Sequence, residues 1–193
     1  MSALAAGLLD PAHDSQRFFR TVLEAFAHPG RIMALDQPPV AIAPLSPAAT
    51  AILLTLVDRD TPLWLAASLA TPSVCESVRF HTGAPLVIDR DAVAFAVMAA
   101  DNTSLDGFAV GTDRYPDRSA TLIIEVPSLR EGSATVWRGP GIAEGVRVAI
   151  AGLPSNFWAD WAANRALLPC GIDVVFASGG EVVALPRSIA VES

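Results

Sequence analysis

The sequence predicts one mixed α/β domain, three layers deep, in which a mixed sheet is flanked by helices. Three observations lead there. Three helical stretches in the first half are each followed by an apolar run of strand length, and crossovers of that kind join parallel strands. The second half is richer in β-branched runs bounded by glycine and proline. A chain of 193 residues that is 52% hydrophobic can also bury one large core without needing a second domain. Residues 1–193 are read as that domain, with 1–13 as a flexible N-terminal arm.

The first helix is expected over 14–27, capped by Asp14 or His13, because Phe18, Val22 and Phe26 recur every four residues. His28-Pro29-Gly30 ends it, and 31–35 reads as a strand. Ser46 before Pro47 is an N-cap with a first-turn proline, opening a helix over 48–57 that is apolar on nearly all sides. Asp58 to Pro62 breaks it before a buried strand at 63–66. Thr71-Pro72 repeats the capping device and starts a helix toward Arg79. Gly83 and Pro85 then turn the chain into a strand at Leu86-Val87-Ile88.

Beyond this point 92–98 is read as strand rather than helix, and 103–110 as a short helix. The β-branched run 120–126 is a strand bounded by Pro127, and Ala134–Arg138 is another, stopped by Gly139-Pro140-Gly141. An edge strand follows at 145–150, then a helix over 155–166 capped by Ser155. Residues 172–176 and 182–186, around Ser178-Gly179-Gly180, close the chain as a hairpin.

Composition excludes several classes. A net charge of −7 argues against a nucleic-acid surface or attachment to anionic lipid. No apolar run is long enough to span a membrane, and the N-terminus lacks a basic start, so a cytoplasmic protein is expected. Cys75 and Cys170 lie far apart and read as small buried residues. All 13 basic residues are arginine. Without lysine there is no aldimine with pyridoxal phosphate, no P-loop lysine and no kinase strand lysine.

Candidate chemistry concentrates in Arg79-Phe80-His81-Thr82-Gly83-Ala84-Pro85, which sets a cation, an imidazole and a hydroxyl before a turn. Such a cluster between a helix end and a buried strand reads as a ligand position in an open α/β sheet. The plainer account makes Arg79 and His81 complements of the helix dipole and Gly83 the left-handed cap. Asp58 and Asp60 are candidate acid/base groups or an ordinary surface loop. Asp173, inside an apolar strand, must face solvent, line a pocket or pair with an arginine, and Arg187 is one possible partner. His13, His28 and His81 show no metal-ligand spacing, so no metal is expected.

Several segments, in order along almost the whole chain, resemble the H subunit of the bacterial carbon–phosphorus lyase system. They begin with Phe19-Arg20 and Ala25-Phe26-Ala27-His28-Pro29-Gly30, then Leu53 to Leu56 and Asp58 to Leu65. Arg79-Phe80-His81-Thr82-Gly83-Ala84-Pro85-Leu86, Phe95-Ala96-Val97, Gly111-Thr112 and Ala120 to Ile123 follow. Gly139-Pro140-Gly141-Ile142, Gly171-Ile172-Asp173 and Leu185-Pro186-Arg187 complete the set.

The resemblance implies a fold related to the pyridoxal-phosphate-dependent transferase scaffold but without that cofactor. It also implies a homodimer that joins the G, I and J subunits, and that with G, I and L supports transfer of methylphosphonate onto the ribose of ATP. Adenine is displaced in that reaction, so ATP is expected as a substrate of the complex. No catalytic residue carries over. A triphosphate calls for guanidinium forks, and Arg20, Arg31, Arg79 and Arg187 are candidates, with His81 and Thr82 beside them. Two other readings stand beside this one: a stand-alone hydrolase using Asp58, Asp60 or Asp173, and a purely structural dimer that docks other subunits.

Overall fold

The computed structural model describes residues 6–192. It contains four α-helices: α1 (Pro11–Ala27), α2 (Pro47–Leu56), α3 (Pro72–Thr82) and α4 (Phe157–Arg165). The strands of the main sheet are β1 (Met33–Ala34), β2 (Leu63–Leu65), β3 (Phe95–Ala99), β6 (Thr121–Glu125), β9 (Asp173–Ser178) and β10 (Glu181–Leu185). Their order is β1-β10-β9-β6-β3-β2. From β2 to β9 the pairing is parallel, while β9–β10 and β10–β1 are antiparallel. The mixed sheet expected from the crossovers is present. A hairpin of β4 (Val110–Thr112) and β5 (Tyr115–Ser119), and a small sheet of β7 (Ala134–Arg138), β8 (Val146–Ala149) and β11 (Ala190–Glu192), complete the set.

Both faces of the main sheet are buried, so its strands are continuous apolar runs rather than alternating ones. Ile123, Val175 and Ala184 join Phe18, Val22, Ile52, Val74 and Val78 of α1, α2 and α3 on one face. Leu122, Ile124, Phe176 and Leu185 meet Phe157 and Trp161 of α4, with Trp137 and Val148 of the small sheet, on the other. The third layer is thus a sheet and one helix, not helices alone. Its two fully buried tryptophans have their N–H groups satisfied: Trp161 donates to the Ile189 carbonyl at 3.0 Å and Trp137 to the Thr135 hydroxyl at 2.9 Å.

One capping device recurs. Asp10, Ser46 and Thr71 each precede a proline and each accept a backbone N–H of the first turn. The first helix therefore starts at Pro11, ahead of the expected Asp14, and Pro11 to His13 belong to it rather than to an arm. Leu8 packs on the helix-side core, and residues 1–5 of the expected arm lie outside the described residues.

Other boundaries move for physical reasons. Leu86-Val87-Ile88 makes a single bridge, Leu86 to Leu63, and Ile88 turns to solvent, so it is not a strand. Residues 103–109 form no helix: Asp106-Gly107 is a turn with Gly107 at φ 80°, Leu105 and Phe108 are pinned into the second core, and Val110 opens β4. Ser155 lies outside α4, whose N-cap is Asn156 without a side-chain bond. The sequence patterns above do not predict strands β5 and β11. Both are short and carry charges, and they form only because a neighbouring strand meets them.

Candidate functional site

α3 ends as its sequence dictates. Gly83 takes a left-handed conformation at φ 71° and returns its N–H to the Arg79 carbonyl at 3.1 Å. The position of that end bears on the open-sheet rule behind the ligand-site expectation. β2 and β3 are parallel, so α3 must carry the chain back to the amino end of the sheet. Open α/β sheets take ligands at the carboxyl ends of strands, the opposite end. The Arg79–Pro85 turn sits at the wrong end for that rule.

The cluster also divides. Residues two apart on a helix face apart. Arg79 is exposed on the rim of a cavity of about 480 Å³ with Trp64, Leu65, Cys75 and Ile88. His81 instead lines one of about 210 Å³ with Gly7, Ser15 and Leu54, its ring edge-on to Phe80 at 5.0 Å. The Thr82 hydroxyl donates to the Val78 carbonyl at 2.7 Å and accepts from the Ala84 N–H at 3.1 Å, which makes it part of the helix end.

Of the two loop acids, the Asp58 carboxylate is spent locally. The Asp58 carboxylate accepts the Asp60 N–H at 2.9 Å and the Thr61 hydroxyl at 3.2 Å, an exposed Asx turn. Neither Asp58 nor Asp60 forms an ion pair with Arg31, Arg59 or Arg79 among the described residues. Arg20 and Arg31 are exposed, on α1 and just past its closing turn. Asp173 and Arg187 do meet: the Arg187 N–H reaches the Asp173 carboxylate at 2.7 Å and its Nε at 3.2 Å. Arg187 also donates to the Pro116 carbonyl at 2.9 Å and to Ser119, which ties the β4–β5 hairpin to the sheet.

One titratable group at the carboxyl end is absent from the candidates above. Glu125 ends β6 and borders a cavity of about 310 Å³ with Ala99, Ala100, Asp101, Val126, Pro127 and Gly152. Burial pushes its carboxyl above the ordinary glutamate range, although the Ser46 N–H at the start of α2 donates to it at 2.6 Å. Such a group retains a proton where an exposed glutamate loses it, and can then donate a hydrogen bond. The signal was a charge closing an apolar strand just before Val126-Pro127. Arg90 is a second group outside those candidates; its guanidinium lies 4.5 Å from the Trp64 ring centre and 5.0 Å from that of Phe108.

Fold and site together define a three-layer α/β protein whose polar candidates are dispersed over both ends of one sheet. Among the described residues no three His, Cys, Asp or Glu side chains are placed to hold a metal, and no helix is long and apolar enough to cross a membrane. The chain belongs to the bacterial phosphonate metabolism protein family PhnH, whose model matches residues 6–192. It is 43% identical over 185 residues to the alpha-D-ribose 1-methylphosphonate 5-triphosphate synthase subunit PhnH of Rhizobium meliloti (strain 1021), covering 95% of this chain and 92% of that protein. A Stutzerimonas stutzeri protein carrying a C-P lyase subunit name, HtxG, is 30% identical over 188 residues, covering 96% and 90%.

Proposed function

We propose that this chain is a non-autonomous subunit of a ribose 1-methylphosphonate 5-triphosphate synthase within a carbon–phosphorus lyase system. The observation that carries this reading is the 43% identity to the Rhizobium meliloti synthase subunit along nearly the full length of both chains. In it the chain works in the cytoplasm as a homodimer, alongside partners equivalent to the G, I, J and L subunits. ATP and methylphosphonate are substrates of the assembly, and adenine leaves as the phosphonate oxygen bonds to the ribose. The scaffold is read as a relative of pyridoxal-phosphate-dependent transferases that holds no such cofactor, in keeping with a chain that has no lysine to form the aldimine.

A positioning and docking role inside that assembly is favoured over chemistry by this chain alone. Thr82, Asp58, Asp173 and Arg187 are all committed to contacts within the chain. The test is reconstitution: the purified subunits, with and without this chain, are given ATP and methylphosphonate, and adenine is measured. Adenine release that needs this chain supports the proposal. Release unaffected by omitting it, or full turnover by this chain alone, overturns it.

A further inference from the structure

The sheet has an unfinished edge at β2. Alternate residues of a strand send their backbone groups to opposite sides, and Ala66, one past β2, donates to the Val97 carbonyl of β3. Leu63 and Leu65 therefore face away from β3. Leu63 is covered there: it donates to the Pro85 carbonyl at 2.9 Å and accepts the Val87 N–H at 3.0 Å. The ladder then stops. Leu65 has no backbone partner on that side among the described residues, because the chain from Val87 onward swings away and leaves Ile88 90% exposed.

The cavity of about 480 Å³ opens beside this unpaired peptide. Its walls are apolar (Leu65, Ala70, Leu86, Ile88), and Arg79 forms no ion pair among the described residues. An unpaired peptide on a strand edge next to an apolar groove is a template for an added extended segment. Arg79 is the one cation among the residues lining this groove, and the chain's net charge of −7 disfavours a second copy, which together select for an acidic side chain of another protein. We propose that this groove receives a short extended segment of another synthase subunit. Its backbone pairs with Leu65, its apolar side chain fills the cavity, and its carboxylate meets Arg79. The inference rests on the subunit reading above.

The test uses the full chain and the co-expressed partner subunits. Ile88→Asp and Arg79→Glu alter exposed side chains, and far-ultraviolet circular dichroism verifies that each variant folds. Each is expected to weaken assembly by about tenfold or more, with Arg79→Lys largely retained. In a Cys170→Ser background, the Cys75 thiol in the groove is expected to resist maleimide in the assembly and react in the free chain. Assembly unchanged by Ile88→Asp and Arg79→Glu, with Cys75 equally reactive in both states, overturns the groove alone. Cys75 protected in the free chain by self-association also overturns it, since the occupant is then a second copy. Failure of the unaltered chain to assemble with those subunits overturns both the groove and the subunit reading.

Discussion

Arg187 holds Asp173 through its backbone N–H, at 2.7 Å, and its guanidinium together, and the same guanidinium anchors Pro116 and Ser119 of the preceding hairpin. Only 16% and 20% of the two side chains are exposed. Asp173→Ala would leave a cation and a backbone donor without their acceptor. A loss of about 2–3 kcal/mol is expected, below the fully buried range because water still reaches the pair. Urea titration measures it as a shifted midpoint at constant slope. A shift worth less than about 0.5 kcal/mol would mean an ordinary surface pair.

Glu125 sets a pH dependence. Its folded pKa is raised by burial, so the native state binds the proton more tightly than the unfolded chain. The resulting stability is fully present below the ordinary glutamate range and is lost as pH rises through the folded value. Glu125→Gln keeps an oxygen acceptor for the Ser46 N–H while removing the charge. The variant should therefore be more stable than the parent near neutrality, with a flatter stability profile above the ordinary glutamate range. Equal profiles for the two proteins would show that Glu125 is well solvated.

Gly141 is where the turn after β7 presses on the end of α1. A Cβ at this position would lie 2.4 Å from the Ala27 carbonyl oxygen and 2.8 Å from Pro29, at a φ of 84°. Gly141→Ala should cost about 2–4 kcal/mol, since backbone must move and the conformation disfavours a side chain. Exposed Pro140 beside it should tolerate Ala with little change. Thermal melts of the two variants decide it.

Because Arg79 and His81 line different cavities, their effects should be independent. In the reconstituted synthase, the activity loss of the double Ala variant should equal the product of the single losses within about twofold. A departure of about tenfold would mean that both contact one ligand.

The sequence determined much on its own. Proline-backed caps at Ser46 and Thr71, glycine at the end of α3, and the apolar runs of β2, β3, β6, β9 and β10 are local signals that acted locally as read, whereas Leu86-Val87-Ile88 did not. Asp10 before Pro11 carries the same signal one turn ahead of Asp14. The partner of Asp173 could be suggested because a charge in an apolar strand must be neutralised nearby. What the tertiary structure alone decided was direction and company. Whether a helix end lies at the amino or the carboxyl end of a sheet depends on strand pairing, which no single turn encodes, and that placed the Arg79 turn away from the carboxyl-end cleft at Glu125. Short charged strands such as β5 and β11 exist only where a neighbour supplies hydrogen bonds. A local pattern fixes backbone conformation through neighbouring residues, whereas a site is assembled by contacts between residues far apart in the chain, and only packing specifies those.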